Sequence, residues 1–126
     1  MSAMMAIKQY QQVGVQAQVA EATPHRLIQM LMQGGLERLA QAQGALQRGQ
    51  GALKGELIGK SISIIGGLRE ALDLGKGGEL AANLDALYDY MIARLLEANR
   101  VNDPALLEEV SGLLREVKTG WDGIAS

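Results

Sequence analysis

The sequence predicts an all-α protein: an antiparallel four-helix bundle preceded by a short N-terminal segment that is either helical or extended. Of the 126 residues, 48% are hydrophobic but only four are aromatic, and nineteen Leu and seventeen Ala favour helix over sheet. Apolar residues recur every three or four positions in four successive stretches. The breaks between these stretches are short, as is usual between neighbouring antiparallel helices of one domain.

The first 22 residues differ in composition from the rest of the chain. They contain five Gln and scattered apolar residues, of which Met4, Ile7 and Tyr10 are spaced by three. This spacing suffices for one or two helical turns, and a helix so short is marginal in isolation. Residues 1–22 are therefore either a loose tail or a strip that docks on the bundle. We predict a single domain, residues 1–126, in which residues 23–126 form the bundle.

The first helix is predicted over residues 24–48. Thr23 can cap its free amides and Pro24 is tolerated at the first helical position, while Gly49-Gln50-Gly51 marks its end. The second helix is expected to end at Gly75, Gly77 and Gly78, because glycines suit left-handed C-terminal caps. The apolar stripe of the second helix consists of Leu57, Ile58, Ser61, Ile62, Ile65, Leu68 and Leu72.

The third helix is expected to begin near Glu79, an acidic residue that complements the helix dipole. Asn102-Asp103-Pro104 forms the next break, with Asp103 as the N-cap of the fourth helix. The stripe of the third helix is Leu80, Leu84, Leu87, Met91, Leu95 and Ala98. The stripe of the fourth is Leu106, Val110, Leu113, Val117, Trp121 and Ile124.

Composition excludes several classes of function. The chain has no Cys, which removes disulfides and Cys-ligated metals, and its net charge of −2 argues against a nucleic-acid-binding protein. It lacks the roughly 18-residue apolar run of a membrane span and any recognisable signal peptide, so we expect a cytoplasmic protein without stable membrane insertion.

The sequence also lacks a constellation of residues for catalysis. A single histidine, His25, cannot build a metal site, and we expect it to be a solvated surface residue in the first turn of helix 1. The acidic residues form no Glu-x-x-His pair, and the glycines lack the Gly-Lys-Ser/Thr pattern of a phosphate loop. We therefore predict no enzymatic activity, no metal and no cofactor.

Two helices carry more apolar residues than a closed bundle needs. On the third helix, Tyr88, Ile92 and Leu96 follow one another at intervals of four and point towards a second face. On the second helix, Leu53, Leu57 and Ile64 widen the apolar arc in the same way. We refer to these six residues as the surplus apolar face. The surplus has two explanations: a helix that touches two neighbours, or an exposed groove for a partner helix or extended peptide.

Small residues recur every four positions along the second helix. They are Gly51, Gly55, Gly59, Ser63 and Gly67. Such a ridge allows another backbone to approach closely, which would make a shallow groove beside this helix. Drift in composition at a glycine-tolerant surface explains the same pattern equally well.

The most specific motif lies in the third helix. Residues 78–91 read GELAANLDALYDYM and are followed by Arg94-Leu95 and Ala98-Asn99. This run resembles the signature of the FliS family, the bacterial flagellar export chaperones for flagellin. The resemblance extends over essentially the whole chain. Its other parts are Ile7, Tyr10, Thr23-Pro24, Leu27-Ile28, Leu31, Gly34, Ile58-x-Lys60, Ile64-Ile65-x-x-Leu68, Asn102-Asp103, Glu109-Val110, Leu113-Leu114 and Trp121.

The resemblance implies a four-helix bundle that binds the disordered C-terminal segment of new flagellin. Binding would prevent premature polymerisation in the cytoplasm and keep flagellin competent for type III export. It further implies handover at the membrane-bound flagellar export gate and, in parts of the family, binding of the anti-sigma factor. In the family the N-terminal segment caps a groove when flagellin is absent, and Ile7 and Tyr10 match its apolar positions.

We therefore predict a flagellin-binding groove from the surplus apolar face and the glycine ridge. Its expected residues are Leu57, Ile64, Tyr88, Ile92, Leu96, Gly55 and Gly59. The alternative is a helical adaptor or regulatory protein that uses the second apolar face for a weak homodimer or another partner helix.

Overall fold

The computed structural model describes residues 22–124, which fold into four α-helices with no strand among them. The predicted all-α four-helix architecture is confirmed. Apart from Ala22, the predicted N-terminal segment lies outside the described residues. The helices are α1 (Pro24–Gln47), α2 (Gly51–Glu70), α3 (Leu74–Val101) and α4 (Pro104–Asp122).

Contacts between helix ends establish the antiparallel order. Gln43, near the end of α1, donates a 3.0 Å hydrogen bond to Glu108 at the start of α4. Lys54, near the start of α2, donates to the Asn99 carbonyl at the end of α3 over 3.0 Å. Each helix packs against its neighbour in sequence, and α1 also packs against α4. The four helices therefore close into one bundle around a shared apolar core.

Three of the predicted helix boundaries are confirmed by their caps. The Thr23 hydroxyl accepts the Arg26 amide at 3.1 Å, and the Asp103 carboxylate accepts the Ala105 amide at 2.9 Å. Gly49, which follows α1, has a φ of +71°, a left-handed conformation that glycine adopts without strain. These local signals depend on a few neighbouring residues, so they can be read from sequence alone.

The predicted boundary between the second and third helices is wrong. α2 ends at Glu70, and the Asp73 side chain caps a new helix by accepting the Lys76 amide at 3.0 Å. The glycines assigned to the end of the second helix therefore lie in the first turns of α3. Only Gly78 has a left-handed φ, +56° with ψ −137°, and it kinks α3 after one turn. The predicted end of the second helix is wrong, but the regular part of α3 begins at Glu79, as the sequence predicts for the third helix.

Among the described glycines, Gly35 makes the closest approach to another helix, at the point where α1 meets α2 and α4. A Cβ at Gly35 would lie 3.0 Å from Cδ2 of Leu114 and 3.4 Å from Cγ2 of Ile64. Ala42 and Ala45 continue this buried face of α1 towards its C-terminus. Small side chains here let the neighbouring helices approach α1 closely, and Ile64 fills the space left beside Gly34 and Gly35.

Polar side chains join the helices around this core. Arg69 of α2 bonds Asp85 of α3 at 2.6 Å, and its guanidinium holds the pKa of that carboxyl below the ordinary 3.8. Glu109 of α4 accepts the Tyr90 hydroxyl at 2.6 Å and Arg94 at 2.7 Å. The Tyr90 bond, followed by the Arg94 bond, lowers the pKa of Glu109 below 4.5.

Lys54 is the one buried charged side chain among the described residues. Its ammonium group donates to the Asn99 carbonyl and to the Asn102 side chain, at the end of α3. A cation at this position complements the free carbonyls and the dipole of the helix C-terminus. The interaction ties α2 to the turn between α3 and α4.

A substitution at Gly35 tests the close approach of the helices. Gly35→Val adds two methyl groups beyond a Cβ that already touches Leu114 and Ile64, so we expect a loss of about 1–3 kcal/mol in unfolding free energy. Gly59→Ala is the matched control, because a Cβ there meets nothing within 4 Å and Ala favours a helix by up to about 1 kcal/mol. Urea denaturation of both variants measures the effect. Equal stability of Gly35→Val and wild type would contradict the packing argument.

The ion pairs predict a loss of stability in acid. The pKa values of Asp85 and Glu109 are lowered in the folded state, so their contribution is complete above their ordinary values of 3.8 and 4.5. It disappears as the pH falls through the lowered folded values. The double variant Asp85→Asn/Glu109→Gln should be less stable than wild type at pH 7, and the difference should shrink below about pH 4. Denaturation at several pH values measures it, with Glu70→Gln as the control; a difference independent of pH would refute the prediction.

Candidate functional site

An apolar groove opens at one end of the bundle, where α1 and α3 begin and α2 and α4 end. Its volume is about 340 Å³, and Glu116 is the only charged residue in its lining. Met32, Leu68 and Tyr88 are buried beneath it. The full lining is Ile28, Met32, Leu68, Ala71, Leu72, Leu80, Leu84, Tyr88, Glu116, Val117, Gly120, Trp121 and Ile124.

Leu80 shows how the groove arises. The sequence places Leu80 in the core stripe of the third helix, but in the structure 67% of it is exposed. It lies on the core side of α3 and lines the groove, which no other described residue fills. The preceding turn contains Gly75, Gly77 and Gly78, and its one apolar side chain, Leu74, is itself exposed. Leu80 is therefore not a core residue among residues 22–124, because no side chain of that range covers this end of the core.

A second apolar depression adjoins the groove. It has a volume of about 590 Å³ and shares four lining residues with the first. Thr23 and Pro24 lie on its rim, so the chain that precedes α1 joins the bundle at this point. Its lining is Thr23, Pro24, His25, Leu27, Ile28, Ala71, Trp121 and Ile124. Together the two cavities form one apolar surface at the end of the bundle where α1 begins and α4 ends, and they meet at the four residues that line both.

His25 fixes one side of this surface and is not the solvated residue that the sequence predicted. Its ring stacks on Trp121 with centroids 4.9 Å apart and an angle of 15° between the planes. His25 Nε2 donates to the Trp121 carbonyl at 2.9 Å, and Trp121 Nε1 donates to the His25 carbonyl at 3.0 Å. The prediction failed because the partner lies 96 positions away in sequence.

Of the residues predicted for the groove, only Tyr88 lines this one. The sequence assigned Tyr88 to a second, outward face of the third helix, whereas the structure buries it to 2% exposure. This burial raises the pKa of its phenol. Tyr88 therefore supplies the floor of the groove and part of the bundle core at the same time.

Four of the other predicted residues lie along the outer seam between α2 and α3. A Cβ at Gly55 would lie 3.7 Å from the side-chain oxygen of Asn99, which locates this seam. Gly59 follows Gly55 by one helical turn, and Leu96 lies one turn before Asn99. Ile92, one turn further back, is half-buried against the core, while Leu96 is 59% exposed. The seam is shallow, with a single strongly exposed apolar side chain.

Leu57 and Ile64 lie elsewhere, on the side of α2 that faces α1. Leu57 is buried in the core, and Ile64 lies 3.7 Å and 3.4 Å from where a Cβ would stand at Gly34 and Gly35 of α1. The wider apolar arc of α2 thus arises from contact with two neighbouring helices, the first of the two explanations that the sequence left open. The structure does not bring the seven predicted groove residues together at one place.

The sequence interpretation also missed several residues of the groove. The sequence assigned five of the lining residues only to core stripes: Leu72, Leu80, Val117, Trp121 and Ile124. One signal in the sequence could have identified two of them: Leu80 and Ile124 are the outermost residues of their apolar stripes. Residues at the end of a stripe can extend beyond the closed part of a bundle. The sequence does not show how far apart two such residues on different helices lie.

The groove has the chemistry of a surface for apolar side chains. Among residues 22–124, no group of three or more His, Cys, Asp or Glu residues could hold a metal ion. In the same range, no helix is both long enough and apolar enough to span a membrane. What the arrangement can do is remove apolar surface of a partner from water, which contributes roughly 25 cal/mol per Å² buried.

Comparisons of the sequence with a family model and with curated proteins point to the same family. Residues 6–126 match the family model described as flagellar protein FliS. The chain is 71% identical over 125 residues to the flagellar secretion chaperone FliSB of Pseudomonas aeruginosa, covering 99% of each chain. It is 48% identical to the flagellar secretion chaperone FliS of Salmonella typhimurium and 44% identical to that of Vibrio cholerae. These two alignments cover 94% of this chain and 89% and 87% of the relatives.

Proposed function

The chain belongs to the FliS family of flagellar secretion chaperones, and we propose that it is a cytoplasmic export chaperone that binds the disordered C-terminal segment of flagellin. Binding would prevent premature polymerisation and keep flagellin competent for type III export. We also propose that the protein acts through contact alone, without enzymatic activity.

The groove is the observation that supports flagellin binding most directly. Leu80 and Ile124 expose more than half of their surfaces beside an apolar cavity of about 340 Å³. A cavity of this size accommodates a few apolar side chains. A disordered segment loses conformational entropy when it docks, and only a large apolar contact area can offset that cost. The groove and the adjoining depression together offer such an area.

The seam between α2 and α3 is proposed as a second contact for the same segment. Gly55 and Gly59 leave space for a close backbone, and Leu96 and Ile92 supply apolar surface beside them. A segment that wraps around the bundle could occupy the groove and then follow this seam. Leu57 and Ile64 would contribute indirectly, because they set the distance between α1 and α2.

We propose that the N-terminal segment covers the groove until flagellin binds. The segment joins the bundle at Thr23, on the rim of the depression, so its residues are tethered beside the apolar surface. Sixteen residues separate Ile7 from Thr23, which is about 24 Å if helical and about twice that if extended. Ile7 and Tyr10 can therefore reach the groove in either conformation. Covering it would limit aggregation through the exposed apolar patch.

Handover of flagellin would occur at the flagellar export gate, and the anti-sigma factor is a further proposed partner. The alternative function is a helical adaptor or regulatory protein that uses its apolar face for a homodimer or another partner helix. Sedimentation of the isolated protein separates the two functions. A tight dimer that buries Leu80 would favour the adaptor, whereas a monomer that binds flagellin would favour the chaperone.

Two exposed leucines of α3 allow a matched test of the flagellin site. We expect calorimetric titration with a flagellin C-terminal peptide to give sub-micromolar binding and a negative heat-capacity change. Leu80→Gln should weaken binding at least about tenfold, since removing a buried leucine costs more than the roughly 1.4 kcal/mol that tenfold requires. Leu96→Gln, similarly exposed but on the seam, should have a smaller effect.

Both variants should keep the wild-type fold, as far-UV circular dichroism can verify, because neither leucine packs in the core of residues 22–124. Wild-type affinity in Leu80→Gln would refute the groove as the site. A larger loss in Leu96→Gln would make the seam the principal contact. Absence of binding by the wild-type protein would refute the chaperone function itself.

The proposed cap predicts the behaviour of the protein without flagellin. Ile7→Ala/Tyr10→Ala should increase binding of a fluorescent apolar dye and self-association, because the groove would lose its cover. The same variant should bind the flagellin peptide more tightly, since the peptide no longer competes with the segment. Lys8→Ala is the control, and unchanged dye binding, self-association and peptide affinity would mean that residues 1–22 are only a tail.

A further inference from the structure

Trp121 stands between the two apolar cavities. It lines both the groove of about 340 Å³ and the depression of about 590 Å³. The other residues that line both are Ile28, Ala71 and Ile124, all of them aliphatic and smaller. The indole is therefore the largest side chain of the boundary, and its orientation determines how the apolar surface is divided.

Three contacts join His25 to Trp121: the imidazole supplies two of them, and the backbone carbonyl of His25 supplies the third. The imidazole stacks on the indole, the indole N–H donates to the His25 carbonyl, and His25 Nε2 donates to the Trp121 carbonyl. Because a carbonyl only accepts, Nε2 must carry the hydrogen. An indole whose N–H is already bonded has little reason to rotate when a partner approaches. The division of the surface thus exists before any partner binds.

We propose that Trp121 is a specificity-determining residue of the flagellin site and that His25 is its positioning residue. This inference rests on the proposed function. The fixed indole makes the site accept two separate clusters of apolar side chains from the flagellin segment, one on either side of the ring. A continuous or bulkier apolar strip would collide with it. Preorganisation of this kind increases affinity because less freedom is lost on binding.

Substitutions at His25 separate its two contributions. His25→Phe keeps a flat ring for stacking but cannot donate to the Trp121 carbonyl. His25→Gln keeps a side-chain donor but loses the ring, and His25→Ala loses both. Gln29 also donates to Asp122 at 2.8 Å, a further bond between α1 and α4 that all three variants retain. We therefore expect each variant to fold, as far-UV circular dichroism can verify.

Trp121 is the only tryptophan of the chain, so tryptophan emission reports on this site alone. His25→Ala keeps the backbone carbonyl that accepts the indole N–H but removes the stacked ring, so the emission should shift to longer wavelength as the face of the indole gains contact with water. Its affinity for the flagellin peptide should fall about tenfold, and His25→Phe and His25→Gln should each recover part of that loss. A purely structural role of His25 would lower stability without changing the emission of the folded protein.

A complementary pair of substitutions tests the specificity. In a series of flagellin peptides, single Leu residues are replaced by the bulkier Trp, and each peptide is titrated against wild type and Trp121→Ala. At least one enlarged peptide should bind wild type about tenfold more weakly than the natural peptide, as expected for overpacking. Trp121→Ala should restore that peptide to within about threefold, because it joins the two cavities.

The outcomes distinguish this inference from the function on which it rests. If wild type binds the natural peptide but no enlarged peptide is rescued by Trp121→Ala, Trp121 does not determine specificity. If the emission of Trp121 is the same in His25→Ala and wild type, His25 does not position it. If wild type binds no flagellin peptide at all, the proposed function fails as well.

Discussion

The close approach of α1 to its neighbours is the constraint on which the rest of the structure depends. Gly35 is buried between Leu114 and Ile64 at distances that leave no room for a larger side chain. Ala42 and Ala45 extend this small-residue face, so α2 and α4 can pack tightly along one part of α1. Three helices are thereby fixed in relative position, and the fourth, α3, completes the core by packing on α2 and α4.

This tight packing does not continue to the end where α3 begins. The kinked first turn of α3 is glycine-rich, so it contributes backbone but little side-chain volume. Leu80, Leu84 and Tyr88 follow it and face a cavity, although their periodicity is that of a core stripe. Within residues 22–124, the helices therefore bury the apolar surface in the middle of the bundle and leave part of it uncovered at this end. A binding protein can use such a surface because a partner completes the core.

Helix existence, capping and the overall fold class could be predicted, because each depends on neighbours in sequence. Thr23, Asp103 and Gly49 have the roles that their residue types suggest. The glycines after Leu72 were ambiguous, since left-handed glycine suits both a helix end and a kink. The Asp73 cap on the Lys76 amide settled the ambiguity, and this local signal was present in the sequence but overlooked beside the more conspicuous glycines.

The sequence by itself determined a four-helix bundle, its family and an apolar surplus on α2 and α3. Periodicity and motifs can be read along the chain without knowing which residues meet in space. Only the tertiary structure decided what that surplus does. Ile64 proved to be packed against α1, Tyr88 formed the floor of a groove, and Leu80 became exposed. Likewise, His25 met Trp121 across 96 residues. Which apolar side chains remain open to a partner depends on how closely helices approach, and that distance is set jointly by residues far apart in sequence.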